Sequence, residues 1–311
     1  MRGARTMVRV GVVVCVLAAA TVALAAARLP KPGTASQVAT LVHDAPSVTS
    51  LPTDLLPPLS QVSADNAATY YGVAGRECWG MSKCVFGDRS SPETVVLFGD
   101  SHAQMWLPAL SPALQAAKVR LVLIWRPGCP PTDIGVWDMT SHSIDKGCTA
   151  FRTAMIAAIR KAKPALVLLA DRTSDIPGAN NKLTTNAAWQ AGLEETISEL
   201  KSPTTKVAVI GDITVFSLDL PACLSAYPSD VQKCSVQNPN LKTHQHFAAE
   251  RAAASAEGVT YLDPQPWLCT TICSPVIGTM AAYYDKFHVS ATYAEYLSGV
   301  WATALKPLLG T

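Results

Sequence analysis

A chain of 311 residues is long enough for one large domain with an appendage, and 49% hydrophobic residues supply a full core. With 25 basic against 23 acidic side chains and a net charge of +2, the chain lacks the basic excess that nucleic-acid binding requires. Only 15% of residues are charged, and neither an internal repeat nor a block of like charge stands out.

At the N-terminus, Arg2, Arg5 and Arg9 precede an apolar stretch from Val10 to Ala27. A basic flank before an apolar core is the pattern of an export signal, and Ala25-Ala26-Ala27 offers a small-residue cleavage site. At about 18 residues the stretch also nearly suffices to span a bilayer if retained. Residues 1–27 therefore read as a cleaved signal peptide or as a signal-anchor helix, with the body exported in either case. Cys15 lacks a convincing lipobox, which argues against a lipoprotein.

Residues 28–93 read as a Pro-rich linker and N-terminal extension. Pro30, Pro32, Pro46, Pro52, Pro57 and Pro58 interrupt any long element. The first part is expected to be extended or disordered. From Leu51 onward, Leu55, Leu56, Leu59, Tyr70, Tyr71 and Trp79 need cover and predict packing on the main domain.

From residue 94 to 311 strands alternate with helices. Strands are expected at Thr94–Phe98, Val119–Trp125, Ala165–Ala170, Lys206–Gly211 and Val259–Leu262. Helices are expected at Ala103–Ala117, Thr149–Lys163, Ala187–Lys201, Thr243–Glu257 and Ser290–Leu305. That alternation predicts a parallel sheet covered on both faces, with ligands bound beyond the C-terminal ends of its strands. Ser101, Gly128, Asp171 and Arg172 fall there.

Eight of the nine cysteines lie in the exported body, and an even number there predicts disulfides. Proximity suggests Cys78–Cys84, Cys129–Cys148, Cys223–Cys234 and Cys269–Cys273. Zinc is disfavoured, because Cys-x3-Cys occurs once and no tight His/Cys cluster accompanies it.

Two short motifs carry the chemistry. Gly99-Asp100-Ser101-His102 follows a buried strand and opens a helix, and Asp285-Lys286-Phe287-His288 lies near the end of the chain. Ser, His and Asp supply nucleophile, base and orienter for acyl transfer. Taken singly, each motif has a plainer reading: Asp100 or Ser101 as a helix cap, and Asp285 with His288 as a surface pair before a helix. A whole α/β domain separates the two motifs, which favours their meeting at one sheet edge. His102 reads as a substrate contact or a structural residue. His244 and His246 are expected to be solvated, and Gly211-Asp212 reads as a strand-ending turn. Trp125 and Trp137 are candidate sugar platforms, whereas Trp106 reads as helix core.

Together the residues resemble the SGNH (GDSL-like) hydrolase superfamily: Gly99-Asp100-Ser101 matches its first block and Asp285-x-x-His288 its last. More narrowly, Val95 to His102, Cys129-Pro130-Pro131 and Asp285-x-x-His288-Val289-Ser290 resemble the SGNH domain fused behind the acyltransferase-3 membrane module of surface-polysaccharide O-acyltransferases. The resemblance covers about residues 50–308. It implies a three-layer α/β/α flavodoxin-like fold with a parallel central sheet. It further implies that Ser101 is the nucleophile, His288 the base and Asp285 its orienter. The oxyanion hole would use the Ser101 N–H and Gly128. The superfamily's third donor is an Asn, but Ala170-Asp171-Arg172-Thr173 stands at that position. Arg172 either donates in its place or pairs with Asp171 or Asp175. The implied activity is a secreted or membrane-anchored esterase or O-acyltransferase acting on O-acyl, above all O-acetyl, groups of cell-envelope glycans. It would have no metal or organic cofactor and a membrane acyltransferase as possible partner. The alternative is a non-catalytic carbohydrate- or partner-binding domain on the same scaffold. A lipase for long acyl chains ranks below both.

Overall fold

The computed structural model describes residues 31–73, 78–174, 176–237 and 246–310; residues 1–27, expected to be an export signal or anchor, lie outside them. The central sheet contains β1 (Val85–Gly87), β2 (Thr94–Gly99), β3 (Arg120–Trp125), β4 (Leu166–Ala170), β5 (Lys206–Ile210) and β6 (Thr260–Leu262). Its order is β1-β3-β2-β4-β5-β6, with β1 antiparallel to β3 and the other neighbours parallel. The five parallel strands thus follow the doubly wound order 2-1-3-4-5, whose direction of winding reverses beside β2.

The parallel strands are near-continuous apolar runs because both faces are covered. Val95, Leu97, Leu121, Leu123, Leu166 and Leu168 point into one buried cluster. Their alternates Val96, Phe98, Val122, Ile124, Val167 and Leu169 point into the other. The first face is covered by α1 (Ala35–Asp44), α2 (Ser101–Met105), α3 (Leu107–Ala116), α7 (Ala291–Tyr296) and α8 (Ser298–Leu309). On the second lie α4 (Lys146–Ala162), α5 (Asn186–Leu200) and α6 (Phe247–Ala256). The result is the expected three-layer α/β/α sandwich.

Register places the site. Gly99 stands opposite Trp125 on one side and Ala170 on the other, and Ala170 stands opposite Ile210. The loops that leave β2, β3, β4 and β5 therefore emerge side by side. Gly99 itself has no room for a side chain, since a Cβ there would fall on the Ala170 carbonyl oxygen.

Three expectations change. Residues 35–44, expected to be extended, form a helix, because Thr34 and Gln37 build a reciprocal capping box ahead of it. The helix expected from Ala103 is two helices broken at Trp106. Pro108 has no N–H to give the Gln104 carbonyl, so one continuous helix is disfavoured. The final helix is also two, divided at Leu297. All four cysteine pairs form the disulfides that their spacing suggests. Residues 51–73 pack on the first face, and β1 comes from the stretch read as extension.

Candidate active site

Ser101 is the first residue of α2, immediately beyond β2. As the first helical residue, its N–H has no intrahelical acceptor and is free to face an anion. Asp100 caps the helix through the His102 N–H at 2.8 Å, and both of its carboxylate oxygens accept from the Arg172 N–H, at 3.1 and 3.2 Å. One carboxylate thus ties the turn after β2 to the loop after β4, across the point where winding reverses.

The C-terminal loop delivers the second half. His288 Nε2 lies 2.9 Å from the Ser101 hydroxyl oxygen. On the other side of the ring, Nδ1 lies 2.8 Å from Asp285 Oδ2 and 3.0 Å from Oδ1. Asp285 Oδ1 also accepts the N–H groups of Phe287 at 2.7 Å and His288 at 2.8 Å. Burial pushes the Asp285 carboxyl up, but the hydrogen bond and charge of His288, with the two N–H donors, hold it below the usual carboxylate range. An ionised carboxylate only accepts, so Nδ1 is the donor of that bond and Nε2 is the ring nitrogen that faces the Ser101 hydroxyl.

The imidazole is clamped. Tyr284 stacks on it with centroids 5.2 Å apart. The loop closes through the Tyr284 N–H to the His288 carbonyl at 3.1 Å and the Phe216 N–H to the Lys286 carbonyl at 2.9 Å. Two residues further on, Ser290 caps α7, and Asp65 of the extension accepts the Ala291 N–H on its carbonyl and the Thr292 N–H on Oδ2.

The remaining candidates are distributed around this centre. Gly128 lies exposed in the turn after β3 with φ of 61°, and that turn is tied to the strand that precedes Ser101 by the Arg126 N–H on the Gly99 carbonyl at 3.2 Å. The Arg172 guanidinium lies over the Phe287 ring, 4.9 Å from its centroid. His102 is buried, with Nδ1 at 2.6 Å from Asp212 Oδ1. Asp171 accepts the Thr132 hydroxyl at 2.6 Å, and Asp175 and His244 fall outside the described residues.

Other expectations are corrected. His246 is buried rather than solvated: it stacks on Trp189 at 4.6 Å, bonds Asn186 at 2.7 Å, and burial lowers its pKa to about 4. Trp125 is buried beside the Cys78–Cys84 segment and presents no sugar platform. Trp106 is core, packed on Trp301. Asp212, read as part of a plain turn, is a buried partner of His102, and the sequence also gave no sign of buried Glu250 behind it.

The family model for the SGNH domain (fused to AT3 domains) matches residues 69–303. Among solved structures, the chain is similar to the periplasmic domain of a lipopolysaccharide acetyltransferase from Salmonella ser. Paratyphi A. The identity is 17% and the TM-score 0.58, over 77% of this chain and 97% of that one. It is also similar to a carbohydrate acetylesterase family member from Sinorhizobium meliloti, with 13% identity and a TM-score of 0.44 over 70% of this chain and 100% of that one. A GDSL-like lipase from Bacteroides thetaiotaomicron gives 12% identity and a TM-score of 0.42, over 78% and 99% of the two chains. No curated protein matches. The first of these likenesses supports the fold already described, and the extent of the family match is what identifies the sequence: the chain belongs to the SGNH domain family found fused to AT3 domains.

Proposed function

We propose that this protein is an exported serine esterase or O-acyltransferase that removes or transfers O-acyl groups, above all O-acetyl, of cell-envelope glycans. The observation that carries the reading is the hydrogen-bonded chain Ser101–His288–Asp285, with 2.9 Å between hydroxyl and imidazole. His288 takes the Ser101 proton on Nε2 as Oγ bonds to the acyl carbon, and the carbonyl electron pair moves onto its oxygen. The N–H of Ser101 and that of Gly128 are the proposed donors to this oxyanion. Collapse re-forms the carbonyl, breaks the bond to the leaving alkoxide, and returns the proton from His288 to it. Water then releases the acyl group, or a sugar hydroxyl accepts it. Arg172 is the proposed substitute for the superfamily's Asn.

Four disulfides fit an oxidising compartment outside the cytoplasm. The family's fusion to AT3 domains supports a membrane acyltransferase as donor partner, with the polysaccharide as acceptor. No helix among the described residues is long and apolar enough to cross a membrane.

The test is hydrolysis of p-nitrophenyl acetate and butyrate by the chain and by Ser101→Ala. Loss of at least about 1,000-fold in kcat with Ser101→Ala is expected. Equal rates would favour the alternative, a binding domain on this scaffold, which the missing Asn also motivates.

A further inference from the structure

A second imidazole stands behind the first. His102 follows the nucleophile in sequence and is 1% exposed, and its ring meets that of His288 edge to face, 5.0 Å between centroids. Its Nδ1 is paired with Asp212, 2.6 Å away. Asp212 also accepts the Thr173 N–H at 2.8 Å, the Thr173 hydroxyl at 2.9 Å and the Ile213 N–H at 2.7 Å. A carboxylate so fully supplied with donors stays ionised even when buried. Asp212 is accordingly held below the usual range, against burial, by His102 and these N–H groups. Nδ1 of His102 is therefore the donor of that bond. Nε2 is buried with no hydrogen-bond partner among the described residues.

Titratable and charged groups face His102 from every element around it. Asp100 lies at the head of its own helix, Asp171 and Arg172 after β4, Asp212 after β5, and His288 with Asp285 on the C-terminal loop. Burial pulls the His102 pKa down, but the charge and hydrogen bond of Asp212, with the charge of Asp100, outweigh burial and Arg172 and raise it. Asp171 and, behind Asp212, Glu250 withdraw from the balance. Burial and the Asp100 charge push Asp171 up to about 8, and burial with the charges of Asp171 and Asp212 raises Glu250 well above its ordinary value.

We propose that His102 and Asp212 are a charge-balancing pair for the catalytic base. The His102 imidazolium cancels the Asp212 carboxylate, so that no uncompensated charge stands behind His288, whose ring it meets, as His288 takes the Ser101 proton. His102 is a positioning residue in this scheme and touches no reacting atom. The inference rests on the acyl-enzyme reading for its consequence in catalysis, and on the pair's geometry for its consequence in protonation.

The experiment is the pH dependence of kcat/KM on p-nitrophenyl acetate for the chain, His102→Gln, and the double variant His102→Gln/Asp212→Asn. The single variant leaves one uncompensated carboxylate beside His288, so its acid limb moves to higher pH by about one unit. The double variant removes both charges, and its limb returns to the parent position even if its rate does not. A single variant that loses rate with its limb unmoved, or a double variant displaced as far as the single, overturns the proposal. Histidine NMR reads the same pair without turnover. His102 is expected to be protonated at pH 7 in the parent chain, and a neutral ring overturns the proposal even if the variants do not fold. Should Ser101→Ala hydrolyse like the parent, the acyl-enzyme reading falls. The movement of His288 proton uptake in the two variants, read by NMR, still decides the pair.

Discussion

Asp171 and Asp212 sit at the ends of neighbouring strands, equally hidden from water, yet their chemistry diverges because their supply of donors differs. Asp212 has four donors and keeps its charge, whereas Asp171 has the Thr132 hydroxyl and holds its proton to about pH 8. The folded chain therefore binds a proton at Asp171 that the unfolded chain, with an ordinary carboxyl near 3.9, has released. Stability contributed by this group is complete below about pH 4 and is lost as pH rises toward 8. Asp171→Asn keeps an acceptor for Thr132 and does not titrate. Its melting temperature should fall less than the parent's between pH 5 and 8, and parallel slopes in thermal scans would refute this. Ser101, Asp285 and His288 stood out as candidates because two short motifs, each with a plainer use alone, occur together at the two ends of one α/β domain. Asp212 carried no such mark: a Gly-Asp after a strand is an ordinary ending. Its pairing with His102 follows only once β5 is known to lie beyond β4, two strands from the one that leads into Ser101.

Strands and helices were legible to within a few residues because the apolar runs are bounded by Gly, Pro and charged residues. What local pattern did not convey was where helices break and what holds loops against each other. The Cys129–Cys148 disulfide fastens the loop after β3 to the first turn of α4, and Arg126 reinforces it through Asp145 at 2.9 Å. Replacing both cysteines by serine should cost about 3 kcal/mol by the loop-closure model. The cost is measured by urea unfolding, and a change within error would show that the unfolded loop is already constrained. The start of α7 is a comparable junction. Asp65→Ala deprives the Thr292 N–H of its acceptor and should cost about 1 kcal/mol or more, while Asp65→Asn retains the acceptor and should cost less. Because α7 begins just after His288, the alanine variant should also lower kcat more than it alters KM. An unchanged kcat would confine Asp65 to stability.

For the molecule as a whole, alternating strands and helices announced a covered parallel sheet, but not that winding reverses at β2, nor that the extension, expected to pack from Leu51 onward, also supplies a capped helix and an edge strand. Strand order comes from long-range pairing, which composition and periodicity do not encode. The extension was hard to read for a related reason: its prolines suggested irregular chain, while its apolar residues are satisfied only by a surface formed far away in sequence, as when the Leu56 N–H meets the Thr279 carbonyl at 2.8 Å.

The three residues of β1 have an importance out of proportion to their length. They occupy the outer border of β3, whose Leu121, Val122 and Leu123 would otherwise present an open row of amides and carbonyls on a wholly apolar ribbon. Such a border invites another chain to pair with it. Cys78–Cys84 ends where this guard begins, and the Leu123 N–H bonds the Cys84 carbonyl at 2.9 Å, so the disulfide clasps the guard in place. Reduction of that bond, or removal of the residues before Thr94, should thus reveal itself first as self-association, with light scattering rising before any activity is lost to unfolding.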